Sequence, residues 1–203
     1  MNGVVDVIIP TCKPLDHVMG LIRDVEQTAG CPVRVCATCQ PVSAAANRNV
    51  GLGWAESDVR IMMDDDITGL PVGWVVQLAA MLDMEPRCVM GTASLLNQDG
   101  KYGPMTGRPP RLSAGASVIE TGQMPTACVV VRRNDVRFDE GFVGSGWEDN
   151  DYCSQLRQAF PRGLFMICHS VQVVHLNEMK GNQSALFHQN KAHYLSKWGA
   201  VTW

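Results

Sequence analysis

No apolar run in this 203-residue chain approaches the roughly 20 residues that a membrane-spanning helix requires. The opening MNGVVDVIIPT lacks a basic n-region and a cleavable apolar stretch, so no secretory signal is expected. An excess of positive charge is also missing: 17 Lys and Arg stand against 20 Asp and Glu, for a net charge of −3. That balance argues against bulk attachment to nucleic acid or an anionic membrane, while leaving room for a local basic groove. Internal repeats and low-complexity tracts are absent. Cysteine is not scarce, but the chain is too long and core-rich to need a disulfide framework. Cys36 and Cys39 have CxxC spacing, yet no second CxxC or close His completes a zinc set. Cys36, Cys128 and Cys168 sit in apolar strand-like runs, where a reduced thiol behaves as a small hydrophobe. A reduced, cytoplasmic protein is expected.

With 46% hydrophobic and 18% charged residues, the chain can bury the core of one domain. VVDVIIPT (4–11) reads as a buried strand, being β-branched and almost continuously apolar. Leu15, Val18, Met19, Ile22 and Val25 then share a helical face, with Gly30 and Pro32 ending the helix. VRVCATC (33–39) is a second strand, the Ala-rich 41–57 a second helix, VRIMM (59–63) a third strand and 73–84 a further helix. Strand and helix in alternation imply right-handed crossovers and a parallel, doubly wound sheet. From about 97 to 126 the composition turns to Gly, Pro, Ser and Arg, as in a long binding loop or a pair of short strands. Residues 126–133 return to strand, 149–160 suit a helix with an acidic first turn, and 163–176 give two short strands.

Ligands bind beyond the carboxyl ends of strands in such sheets. Pro10 and Thr11 fall at one such end, and Asp64, Asp65 and Asp66 at another. In extended chain, Asp64 and Asp66 project to one face and Asp65 to the other. Two carboxylates so spaced can share a hard divalent cation; a solvated acidic turn is the alternative. GSGWEDNDY places Gly144, Gly146, Trp147, Glu148, Asp149 and Asp151 together. Glycines admit close ligand approach, an aromatic ring can stack on a sugar, and a carboxylate can take a proton from an attacking hydroxyl. Helix-capping acids are the alternative. His175 ends an apolar strand and is either a satisfied core histidine or a third ligand.

Taken in order, VIIPT, NRNVGL, MMDDD, GWEDNDYCSQLRQ, VVH and NKAHYLSKWG resemble a family 2-like glycosyltransferase of the GT-A fold, over roughly residues 4–199. The resemblance implies an α/β single domain with a mostly parallel central sheet flanked by helices. Residues 1–96 would form the nucleotide-sugar half and 97–203 the acceptor and catalytic half. It further implies that Asp64 and Asp66 end a DxD motif and hold Mn²⁺ or Mg²⁺ with His175. Asp65, Pro10, Thr11 and Arg48 would contact the donor. Gly146, Trp147 and Glu148 would hold the acceptor or donor sugar, and Asp149 would be the base of an inverting transfer. The family's acidic residue after the second strand is missing: Thr38 or Gln40 would replace it through neutral hydrogen bonds. The chain ends soon after KWG, so no membrane anchor or large acceptor domain is expected.

The implied partners are a nucleotide-diphosphate sugar and a hydroxyl on a glycan, a lipid-linked sugar, a protein or hydroxymethylated DNA. For DNA, Arg108, Arg111, Arg132, Arg133 and Arg137 are the candidate phosphate contacts; scattered surface arginines are the plainer reading. A non-catalytic nucleotide-sugar or glycan-binding module is the alternative from another class. Nucleotidyl transfer would call for a basic Gly-rich loop near the first strand, and PTCKPLD is a poor one.

Overall fold

A computed structural model describes residues 3–39, 43–103, 116–119, 123–176 and 185–200. Chain order runs β1 (Val5–Pro10), α1 (Leu15–Thr28), β2 (Val33–Thr38), α2 (Ala44–Trp54), β3 (Val59–Met63), β4 (Ile67–Thr68), α3 (Trp74–Met84) and β5 (Cys88–Leu96). It continues with β6 (Ala116–Ile119), β7 (Cys128–Arg132), α4 (Glu148–Ala159), β8 (Leu164–His175) and α5 (Ala185–Trp198). The strands form one sheet in the order β2-β1-β3-β7-β5-β8-β4, with β6 also paired to β8.

Five strands, β1, β2, β3, β5 and β8, run one way, and β4, β6 and β7 run against them. The sheet is therefore mostly parallel in direction, with reversed strands wedged into it. Each face is covered by helices, which is why β1 and β3 read as almost continuously apolar runs, interrupted only by the buried Asp6 and Arg60. Val5, Val7 and Ile9 of β1 pack with Leu21 and Val25 of α1 and Trp74, Val75 and Leu78 of α3. Ile8 points the other way, into Ala45 and Leu52 of α2 and Tyr152, Cys153 and Leu156 of α4. Burying each such aliphatic side chain contributes roughly 1.5–3 kcal/mol. Asp6, the acid inside β1, is fully buried and fully engaged. Arg34 donates to it at 2.8 and 3.0 Å, and the backbone N–H groups of Glu56 and Ser57 donate at 2.7 Å each.

Two expectations need revision. On α1 the buried positions are Val18, Leu21 and Val25, while Leu15 and Met19 are 73% and 40% exposed, so the core-facing stripe lies one position round the helix. Residues 164–175 form one 12-residue strand, β8. The break expected between two short strands is a register irregularity where Ala93 pairs Cys168 but Ser94 pairs Gln172. The segment 88–96, to which the sequence assigned no element, is β5, an interior strand between β7 and β8; its Gly, Thr and Ser positions are buried. Among the described residues, no helix is long and apolar enough to cross a membrane.

The helix α2 meets the sheet at Gly51, where an added Cβ would lie 2.2 Å from Cγ2 and 3.2 Å from Cβ of the buried Ile8. A β-branched side chain at 0% exposure has no rotamer that relieves such a contact. Gly51→Ala gains up to about 1 kcal/mol of helix propensity but loses about 1–3 kcal/mol to overpacking. A lower urea-unfolding midpoint with unchanged slope is expected; an unchanged or raised midpoint would show that α2 can retreat from β1.

Candidate active site

The carboxyl ends of β1 and β3 open onto a cleft of about 590 Å³. Its lining includes Pro10, Thr11, Arg48, Asp64, Asp65, Asp66, Gly146, Glu148, Asp149 and His175, nearly all the residues expected there. They come from the end of β1, from α2, from the turn between β3 and β4, from the entry and first turn of α4, and from the end of β8. Asp64 leaves β3 with its N–H donated to Ala127 O at 2.8 Å, because β7 runs antiparallel beside it. Asp66 precedes β4, and the antiparallel register of β4 with β8 places Ile67 opposite His175. Leu176 N–H donates to Asp66 O at 3.0 Å and seals that junction.

Asp64, Asp66 and His175 consequently present three donor atoms within 4.8 Å of one another. Two carboxylate oxygens and one imidazole nitrogen suit a hard or borderline divalent cation such as Mn²⁺ or Mg²⁺. In the chain as it stands, His175 Nε2 lies 3.2 Å from Asp66 Oδ1. Burial alone would lower the imidazole pKa, but the hydrogen bond and charge of Asp66, with Asp64 and Asp149 beyond, raise it above its ordinary value.

Asp65 turns away from this set, but not by strand alternation. β3 ends at Met63, and Asp65 and Asp66 form a turn in which Ile67 N–H donates to Asp64 O at 3.4 Å, where extended chain was expected. Its Oδ2 accepts from Thr11 Oγ1 at 2.5 Å, and Lys13 Nζ lies 3.5 Å from its Oδ1. Its main-chain oxygen lies 2.9 Å from His17 Nε2. The end of β1 is thus stitched to the aspartate turn, and a cation, Lys13, is brought into the cleft lining.

Arg48 occupies the centre. Its side chain on α2 is 4% exposed. Its Nη2 donates to Asp64 Oδ1 at 2.7 Å and its Nη1 to Glu148 Oε1 at 3.2 Å, with Asp149 Oδ1 3.7 Å away. Burial pushes the Glu148 carboxyl up to about 7; Asp149 adds to the rise and Arg48 opposes it. Glu148 Oε2 is buried without a hydrogen-bond partner. Asp149 is held by Thr126, whose N–H donates to Oδ2 at 3.1 Å and whose Oγ1 donates to Oδ1. Thr126 carried no motif in the sequence: it reaches the site because β7 starts where β3 ends.

Trp147 differs in placement from its neighbours. It is the one non-glycine residue with positive φ (73°) among those described, and it precedes the first turn of α4. Its ring packs against Phe187 and Tyr194 of α5, at 5.7 and 5.3 Å between centroids, and is not part of the cleft lining. Thr38 is buried and donates to Asn47 O at 2.9 Å. Gln40, Arg108 and Arg111 lie outside the described residues. Arg132, Arg133 and Arg137 donate to main-chain carbonyls, those of Leu82, Glu56, and Asn134 with Val136. Arg132 also pairs with Val59, at the end of β3 remote from the cleft. Cys39 is in contact with Cys12 across the ends of β1 and β2, so the CxxC spacing does not set its partner.

No protein-family model and no curated protein matches the sequence. Solved structures do match. The chain aligns over 95% of its length with GalNAc-T7 solved with UDP, GalNAc and Mn²⁺, at 15% identity and a TM-score of 0.63. It aligns over 96% with residues 1–349 of S. aureus TarS, at 14% identity and a TM-score of 0.59. The TarS complex with UDP-GlcNAc gives a TM-score of 0.57 at 14% identity. The fold is GT-A. The chain spans 41% of the GalNAc-T7 chain and 65% of the TarS 1–349 chain.

Replacing Arg48 leaves three acidic groups facing one another without their cation. Arg48→Met is expected to cost about 3–5 kcal/mol at pH 8, as when one partner of a buried ion pair is removed. Glu148 already has its folded pKa above its unfolded value, so its contribution is present at low pH and lost as pH rises through about 7. Without Arg48 the loss is larger and extends to higher pH, so the variant's deficit shrinks from pH 8 to pH 5.5. Urea unfolding at the two pH values measures this, and an equal deficit at both would contradict it.

Proposed function

We propose that the cleft transfers a sugar from a nucleoside-diphosphate sugar to an acceptor hydroxyl with inversion at the anomeric carbon. The observation that carries this reading is the meeting, in one cleft, of a three-donor cation set and a fixed carboxylate, Asp149, both tied to Arg48. The neighbours that share the fold were solved with UDP, with GalNAc and Mn²⁺, or with UDP-GlcNAc, which supports UDP-linked N-acetylhexosamines as first donors to test.

Asp64, Asp66 and His175 would hold Mn²⁺ or Mg²⁺. A divalent cation there supplies charge that offsets a departing diphosphate. Asp149 accepts the proton of the acceptor hydroxyl as its oxygen bonds to the anomeric carbon. The bond from that carbon to the diphosphate breaks, and the electron pair leaves with the nucleoside diphosphate. Thr126 orients Asp149 with two hydrogen bonds, so the carboxylate is placed before substrate arrives. Pro10, Thr11 and Asp65 stand at the donor side, where Lys13, paired with Asp65, adds positive charge. Gly146 and the unpartnered Oε2 of Glu148 stand at the sugar and acceptor side. Residues 1–96 are the donor half in this reading and 97–203 the acceptor half. A glycan, lipid-linked or protein hydroxyl is favoured over a DNA acceptor, because Arg132, Arg133 and Arg137 already serve main-chain carbonyls. Eight unpaired cysteines fit a reducing, cytoplasmic setting.

The test is a screen of UDP-, GDP- and dTDP-sugars for Mn²⁺-dependent thermal stabilisation and slow donor hydrolysis. At least one UDP-sugar should stabilise the protein; stabilisation by none would sink the reading. Asp149→Asn should cut transfer by about 10²–10⁴-fold, the usual worth of a general base, while donor plus Mn²⁺ still raises the melting temperature. Near-normal turnover in that variant would remove Asp149 from the role.

Cation affinity should also depend on pH. His175 binds a cation only when neutral, and its pKa lies above the ordinary 6.5. Mn²⁺ affinity measured calorimetrically should therefore tighten from pH 6 to pH 8, with proton release on binding. In His175→Gln most of that pH dependence should vanish; its full retention would exclude His175 as a ligand.

A further inference from the structure

The five residues from Val143 to Trp147 carry three left-handed backbones: Gly144 (φ 69°), Gly146 (φ 103°) and Trp147 (φ 73°). For a tryptophan this conformation costs of order 1–3 kcal/mol and persists only where the surroundings over-determine it. Glu148 and Asp149 follow directly, so the path of this loop sets where both carboxylates stand. Part of the restraint comes from α2, whose Ala44 N–H donates to Gly144 O at 2.8 Å. The rest comes from α5.

Asn190 of α5 is 1% exposed and points its amide into the loop. Its Oδ1 accepts from Val143 N–H at 3.2 Å, while its Nδ2 donates to Val143 O and Gly146 O, each at 3.0 Å. A primary amide offers both an acceptor and two donors from one planar group, matching these three loop atoms. Aspartate would keep the acceptor, lose both donors and set a carboxylate against two carbonyls. Around this contact, Phe187 lies where a Cβ on Gly146 would meet its Cδ2 at 3.0 Å, and Lys191 Nζ sits 5.7 Å from the Trp147 ring. The helix is itself fixed: Lys197 pairs with Asp139 at 2.8 Å and with the buried Asp151 at 2.7 Å, and Trp198 Nε1 donates to Asp151 at 2.7 Å. An α5 anchored at its last turn therefore holds the strained loop from one side through the buried Asn190 amide.

We propose that Asn190 is a positioning residue for the reaction, locking the 143–147 loop so that Glu148 and Asp149 meet Arg48 and the acceptor. This rests on the glycosyl-transfer reading of the cleft. Asn190 touches no substrate; it acts through the loop.

The experiment compares wild type with Asn190→Asp in Mn²⁺-dependent UDP-sugar turnover and in hydrogen exchange of the free protein. Turnover should fall roughly 10- to 100-fold in kcat, the scale of a misplaced catalytic group, with the donor KM within about twofold because the donor side is untouched. Exchange in 143–149 should accelerate while β1 to β3 keep their protection. Unchanged kcat with unchanged loop exchange overturns the proposal, as does a loss of protection spread evenly over the sheet, which marks a merely structural residue. Should Asn190→Asp fail to fold, Asn190→Ser, smaller and uncharged, carries the same two measurements. A wild type without UDP-sugar turnover defeats the transfer reading, while the exchange arm still decides whether Asn190 holds the loop.

Discussion

One buried guanidinium organises this molecule's cleft. Arg48 faces Asp64, Glu148 and Asp149 from the interior side; Arg48 and Glu148 are withdrawn from water, while Asp64 and Asp149 open partly onto the cleft. Moving such charges out of water costs several kcal/mol per ion, which only good geometry returns. Here the geometry is returned by the fold: α2 is capped by Ser43, whose side chain accepts from Ala46 N–H, and it abuts β1 at Gly51. That fixes the helix, and with it the guanidinium that meets Asp64, Glu148 and Asp149. The cluster is an arrangement in which every added acidic group needs Arg48 more.

The reversed strands supply what a purely parallel sheet could not. A doubly wound sheet brings strand ends together on one side, which accounts for Thr11 and Asp64. Residues that follow the opposite sense, Thr126 before β7 and Asp66 before β4, reach the same side only because those strands run backwards. His175 ends β8 and meets Asp66 through the short antiparallel β4, a two-residue strand whose placement decides whether a cation has a third ligand. The cost of that economy is a ligand set held by very little regular structure, stiffened by the Leu176 to Asp66 main-chain bond.

Outside the sheet, α5 packs against the loop that enters α4. Asp139 and Asp151 anchor its last turn through Lys197 and Trp198, and Asp139 is held down to about 2 by its bonds to Lys197, Gly141 and His193 against the effect of burial. Trp147, which reads from the sequence as a sugar platform, packs its ring on this helix. Its contribution is to the shape of the turn that delivers Glu148 and Asp149.

How much of this was legible differs by residue. Strands β1 and β3 stood out because both their faces are buried, so side-chain chemistry alone marks them. The aspartate triplet stood out because adjacent carboxylates repel and therefore need a reason. By contrast β5, with Gly91, Thr92 and Ser94 at buried positions, has no periodic signature, since its environment comes from β7 and β8 on either side. The sequence by itself determined the α/β alternation, the strand ends where a charged ligand would lie, and the types of donor available there. Only the tertiary structure decided which donors meet. Asp64 and Glu148 are 84 residues apart and share Arg48, and Asp66 finds His175 across a strand pair. Such pairings depend on register and strand direction, which are set by the packing of the whole sheet and leave no local trace in the chain.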